Sequence, residues 1–181
     1  MASFQSFTMQ HELYLHPLLG YSQHNITPGH CCPILWDLHE PPEAARRVLQ
    51  LDKPLAPSEL NQLATSPPVV ELTITCDLFP GDWPIVVRRL QGVTVLDAFE
   101  AVHTALMRQI RQEEWEQLCP KQQARVEIVF NNRCKLSLDR DACRSRGVLR
   151  IDCLLYHVWF GGLSISPGLE NTLILTLRRP Q

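Results

Sequence analysis

The sequence predicts an α+β fold: a small antiparallel sheet with two helices packed on one face, preceded by a proline-rich irregular arm. Three observations carry this reading. Nine of the fourteen prolines fall in the first 68 residues, where fixed φ angles and missing donors work against long regular elements. The β-branched run from Val69 to Cys76, directly after Pro67-Pro68, is the clearest strand signal in the chain. Val95, Phe99, Val102, Leu106 and Ile110 recur at spacings of four, three, four and four, which lines them up on one helix face.

Taken in order, residues 1–65 form the arm and residues 66–181 the α+β domain on which it packs. Within the arm, Pro33 to Leu38 is a short apolar run suited to lie extended against the domain, with Trp36 as its anchor. A short helix is expected from Pro42 to about Leu49, because proline and glutamate suit a helix start, and one more turn from Ser58 to Ala64. In the domain, the 69–76 strand turns at Phe79-Pro80-Gly81-Asp82 and returns as Trp83 to Arg89, an antiparallel hairpin with Pro84 at the strand entry. The periodic helix runs from Val95 to Arg111. Thr94 is its N-cap, Asp97 completes a capping box, and Arg108 and Arg111 suit the negative C-terminal end.

Pro120 to Lys135 reads two ways. Ala124, Val126, Ile128 and Phe130 alternate as in a strand, while Val126, Val129 and Phe130 share a helical face. The last third holds an apolar block from Val148 to Leu155 and strands from Tyr156 to Phe160 and Thr172 to Arg178, punctuated by Gly161-Gly162 and Pro167-Gly168.

Composition narrows the function classes. The 181 residues are 45% hydrophobic and 20% charged, enough apolar material for the core of one domain. Seventeen basic against nineteen acidic side chains give a formal net charge of −2, without the positive field that non-specific nucleic-acid binding uses. Arg144, Arg146 and Arg150 read as a solvated face rather than a phosphate site. No apolar run approaches the ~18 residues of a membrane span; the longest, Ile151 to Leu163, is broken by His157 and the glycine pair. Met1 to Glu12 lacks a basic region followed by an apolar one, so the expected location is intracellular, cytoplasmic or nuclear, with no membrane or nucleic-acid partner. The seven cysteines are odd in number and irregularly spaced, which fits buried free thiols better than a disulfide framework. The Asn25 sequon is then a chance match.

His24, His30, Cys31 and Cys32 are the side chains a zinc ion prefers, but two adjacent cysteines rarely reach one tetrahedral metal. No metal or other cofactor is assigned. Cys153 or Cys134 with His157 or His103 and Asp152 would supply the types for a nucleophile, a base and an orienting acid, yet burial accounts for Asp152 and Cys153 more simply. His103 borders the apolar helix face, and His157 sits between strand residues. An Asp in an apolar block needs a partner, so Asp152, next to Arg150, is expected in a structural ion pair. Trp36, Trp83, Trp115 and Trp159 read as core and boundary anchors. Nucleophile-elbow and phosphate-loop motifs are missing.

Several pieces in order resemble an uncharacterised family of domains of unknown function, abundant in mushroom-forming fungi. They are Ile34-Leu35-Trp36-Asp37, Ala64-Thr65-Ser66-Pro67-Pro68, Trp83-Pro84-Ile85-Val86-Val87, Val93-Thr94-Val95, Arg150-Ile151-Asp152-Cys153-Leu154-Leu155 and Phe160-Gly161-Gly162-Leu163. The resemblance implies a helix over 120–135, ending in Phe130-Asn131-Asn132-Arg133-Cys134, and transfers no catalytic residue. The leading functional expectation is a non-catalytic protein-interaction module, docking a protein partner or a second copy. The alternative is a small-molecule-binding or hydrolytic enzyme using a Cys/His pair between sheet and helices.

Overall fold

The computed structural model describes residues 12–22, 31–80 and 83–180. The described residues of the N-terminal region form the short strands β1 (Tyr14–Leu15), β2 (Ile34–Leu35), β3 (Arg46–Arg47) and β4 (Gln50–Pro54), then the one-turn helix α1 (Pro57–Leu60) and β5 (Thr65–Ser66). A hairpin follows, β6 (Glu71–Thr75) and β7 (Ile85–Arg88), and then the helices α2 (Val95–Leu106), α3 (Gln112–Glu116), α4 (Pro120–Leu136), α5 (Arg140–Ser145) and α6 (Arg150–Cys153). The chain closes with β8 (Trp159–Ile165) and β9 (Thr172–Arg178).

The α+β class holds, with one change of direction in the sheet. The main sheet has the order β7-β6-β9-β8, and its central β6–β9 pair is parallel while the two flanking pairs are antiparallel. A parallel neighbour requires a long crossover, and α2 to α6 with β8 supply it. Alternation in the sequence shows which face a side chain takes but not the strand direction. Leu72 and Ile74 of β6, Ile85 and Val87 of β7 and Leu173, Leu175 and Leu177 of β9 point into the core. The outer edge of β8 is covered by N-terminal residues. Phe160 N–H donates to Trp36 O at 2.9 Å, Leu38 N–H to Val158 O at 2.8 Å and Tyr21 N–H to Leu163 O at 2.8 Å, so the edge is not left open to a further strand.

The core centre joins three parts of the chain: Trp36 lies 5.0 Å from Phe99 of α2 and 5.8 Å from Phe160 of β8, and Phe99 lies 5.4 Å from Phe160. Trp36 is the anchor the sequence predicts, 1% exposed, with its indole N–H donated to Glu40 O. Trp83 is buried, and Trp115 and Trp159 are half-buried.

Four expectations are corrected. The Pro42–Leu49 helix shrinks to a 3-10 turn, Pro42–Ala44, because the chain leaves it to form β3. Helix α2 carries the expected Thr94–Asp97 box, with Asp97 N–H donating to Thr94 Oγ1 at 3.1 Å and Thr94 N–H to Asp97 Oδ2 at 3.0 Å. It stops at Leu106 instead of Arg111, since residues 108–110 pair with 148–150: Ile110 N–H donates to Val148 O and Arg150 N–H to Arg108 O, both at 2.9 Å. The penultimate strand starts at Trp159 and runs through Gly161-Gly162, which form a bulge rather than a turn. A Cβ on Gly162, at φ +105, would stand 2.8 Å from the Tyr21 backbone, so the doublet is where the N-terminal segment closes on the sheet. Finally, α2 lies on the sheet, while α4 packs on α5 and α6; it fully buries only Val126 and Cys134, too narrow a stripe for a sheet face. With Ile128 exposed, the strand alternative for this segment is gone.

Candidate functional site

A groove of about 770 Å³ opens where the C-terminal turns of α4, helix α5 and residues 155–158 face the turn after β2. Val129 and Leu136 of α4, Met107 at the end of α2, and Leu149, Leu155 and Val158 give it apolar walls, and Leu136 stands 86% exposed at its mouth beside the exposed Tyr156. Leu155, in the left-handed region at φ 58, closes the one-turn helix α6 and turns the chain into this wall. The Asp37–Glu40 turn forms the opposite rim. His39 Nδ1 and Asp37 Oδ1 are 2.8 Å apart, and although burial works to raise the Asp37 carboxyl, the His39 ring and backbone hold it below the ordinary value.

The floor is polar. Arg133, one turn from the end of α4, donates Nε–H to Asp152 Oδ1 at 2.8 Å and Nη2–H to Asp152 Oδ2 at 2.7 Å, a two-pronged clamp on a carboxylate with no exposure at all. The same guanidinium donates to Gly147 O and, at 3.0 Å, to Cys143 Sγ. Its hydrogen bonds to Asp152 outweigh burial and hold Arg133 above the ordinary arginine value. Asp152 in turn caps α6, accepting Leu149 N–H at 2.8 Å. Cys134 Sγ lies 3.2 Å from Cys143 Sγ, and burial with the neighbouring thiol pushes Cys134 up.

The ion pair expected for Asp152 is therefore present, but its cation is Arg133, nineteen residues away, rather than the adjacent Arg150. Arg150 is 7% exposed, which removes it from the solvated basic face that Arg144 and Arg146 do form. It is ion-paired to Glu114 and stacked 4.7 Å from the Trp83 ring centroid.

The other sequence candidates do not converge. Cys153 is half-buried, with its thiol pushed up to about 12 by burial first and the Asp152 and Glu114 charges second. His157 accepts Arg179 Nε–H at 3.2 Å. Burial lowers His103 below the ordinary imidazole value, against the opposing pull of the His39 backbone and of Glu43 and Glu40. Among the described residues no hydrogen bond joins Cys153, His157 and His103, and none of the three lines the groove. Of the metal candidates, His24 and His30 lie outside the described residues, as does the Asn25 sequon. Cys31 is half-buried and Cys32 buried, with its thiol pushed up to about 11 chiefly by burial. Among the described residues no group of three or more His, Cys, Asp or Glu side chains is placed to hold a metal ion, and no helix is long and apolar enough to cross a membrane.

Sequence reasoning missed Arg133 and Cys143. A signal for the first was available: a lone carboxylate in the apolar 148–155 block demands a cation, and the motif ending at Cys134 carries one. Nothing local marks Cys143.

A small mixed-sheet α+β domain with an apolar groove over a self-paired polar floor is the class that fold and site define. Residues 34–171 match a family of unknown function, DUF6699, and the chain belongs to that family. No curated protein and no solved structure matches the chain.

Proposed function

We propose that this protein is a non-catalytic interaction module whose groove receives an apolar side chain from a segment of a partner protein. The carrying observation is the state of the floor: Arg133, Asp152 and the Leu149 N–H are already spent on one another, so the apolar walls and the exposed Leu136 and Tyr156 are what the groove offers. A contact of this kind gains from removing apolar surface from water. Arg146 lies on the lining, exposed and in no ion pair among the described residues, so the partner segment carries a carboxylate beside its apolar anchor. The irregular, odd set of seven cysteines supports a reducing, intracellular setting, cytoplasmic or nuclear, and the ordered motifs from Ile34 to Leu163 support a fungal origin for the family.

A second reading, a small-molecule-binding or hydrolytic enzyme using a Cys/His pair, draws on Cys143 and His39 sharing the groove lining. Native mass spectrometry of the full-length protein purified from its own cells separates the two. A co-purifying polypeptide that is lost in Leu136→Asp supports the interaction module. A retained small molecule, or substrate turnover abolished by a single Cys or His substitution, overturns it.

A further inference from the structure

We propose that Cys134 and Cys143 form a peroxide-reactive dithiol, with Cys143 as the attacking sulfur, Cys134 as the resolving one and Arg133 as the group that supports the attacking thiolate. Three independent features of the fold converge here. The two sulfurs, on α4 and α5, are 3.2 Å apart, so a bond of about 2.05 Å needs only a small side-chain movement. The Arg133 guanidinium lies 3.0 Å from Cys143 Sγ and is itself fixed by Asp152, which keeps its charge beside the sulfur. Both sulfurs are buried, but Cys143, 8% exposed, lines the groove and gives a small oxidant a way in, whereas Cys134, 1% exposed, does not line it.

The geometry separates the two roles. Arg133 donates Nη1–H to Cys143 Sγ at 3.0 Å, so of the two sulfurs, 3.2 Å apart, Cys143 is the one in direct contact with the cation. The guanidinium N–H aimed at Cys143 Sγ places a positive charge at the attacking sulfur. The same cation argues against a soft metal as the ligand of this pair, since it would stand beside the ion. The Cys143 thiolate attacks one oxygen of a peroxide, the O–O bond breaks, and the departing oxygen takes a proton and leaves as water or an alcohol. Cys143 is then a sulfenic acid. The Cys134 sulfur attacks it, the S–S bond forms, and hydroxide leaves with the Cys134 proton as water. Two thiols lose two electrons in all and the peroxide gains them; a small dithiol reductant reverses the change.

Hydrogen peroxide titration of the full-length protein, followed by alkylation, digestion and mass spectrometry, tests this, with the exposed Cys119 as an internal reference. The expected result is a Cys134–Cys143 cross-linked peptide that has lost two hydrogens and is restored by dithiothreitol, formed at least about fivefold faster than Cys119 is oxidised. Cys134→Ser stops the cross-link but leaves Cys143 trapped as a sulfenic acid that dimedone labels, and Arg133→Gln slows loss of the Cys143 thiol about tenfold. Should Arg133→Gln fail to fold, the Cys134→Ser labelling decides. Oxidation of Cys143 no faster than that of Cys119, dimedone labelling of Cys134 instead in Cys143→Ser, or a different cysteine pair appearing first would overturn the proposal.

Discussion

Two arginine–carboxylate pairs tie the same four-residue helix to two different helices. From α6, Arg150 reaches Glu114 of α3, and Asp152 reaches Arg133 of α4. The first pair is the more deeply buried: Arg150 and Glu114 are both buried, with Trp83 stacked on the guanidinium, and Arg150 borders only a smaller cavity of about 350 Å³ between β7 and α2. The second has its carboxylate sealed and its guanidinium at a groove, where it meets Cys143. The difference lies in what surrounds the pair rather than in the pair itself. Where an aromatic ring stacks on the arginine, the ion pair ties two helices together. Where the guanidinium reaches a thiol instead, the same chemistry becomes a fixed charge beside a reactive side chain.

The comparison breaks most strongly at Asp152. Asp152→Ala leaves the half-buried Arg133 without its anion and Leu149 N–H without its cap, and should cost about 3–5 kcal/mol, read from the urea midpoint. Arg150→Met should cost less, about 1–3 kcal/mol, because Glu114 keeps Arg111, whose Nη2 is 3.2 Å from Oε1 and whose N–H donates at 2.9 Å. Equal losses in the two variants would remove the distinction between the pairs.

Acid sharpens the comparison next. Burial would raise the Glu114 carboxyl, but hydrogen bonds from Arg150 and the Arg111 backbone hold it below the ordinary value; Asp97 is likewise held down by Thr94 and Arg89 against burial. A depressed folded value means stability that is full above the unfolded range of about 4 and is lost as pH falls through the folded value. Urea midpoints should therefore fall between pH 5 and pH 2 by roughly 1 kcal/mol or more of stability, and Glu114→Gln should flatten that limb. The thiols run the other way. Cys32 and Cys153, raised to about 11 and about 12, favour the folded state below the unfolded thiol value of about 8.5 and weaken it as pH rises towards the folded values. At pH 8 iodoacetamide should therefore modify the exposed Cys119 well before Cys32 or Cys153, as peptide mapping over time will show. The smallest effect belongs to the groove mouth. Leu136→Asp, on an 86% exposed side chain, should shift stability by less than about 0.5 kcal/mol.

Much of the scaffold was legible because its signals are local. Thr94 with Asp97 announces a helix start, and Val95, Phe99, Val102 and Leu106 mark its buried face. The end of α2 was not legible, because residues 108–110 stop being helical only by pairing with 148–150, some forty positions away. Gly161-Gly162 looks like a turn in sequence and becomes a bulge because Tyr21 closes on it. The candidate site was half legible for the same reason: Asp152 advertises a missing cation, but Arg133 and Cys143 become its neighbours only when α4, α5 and α6 fold onto one another.

The central claim is that the groove beside Arg133 is the working surface. The direct measurement is site-specific photo-crosslinking in living cells, with a benzophenone amino acid placed at Tyr156 or, as a remote control, at the 97% exposed Leu90. A discrete polypeptide adduct from position 156 that disappears with Leu136→Asp and is missing from position 90 is the predicted result. Adducts of the same pattern from both positions, or an adduct from 156 that survives Leu136→Asp, would contradict it.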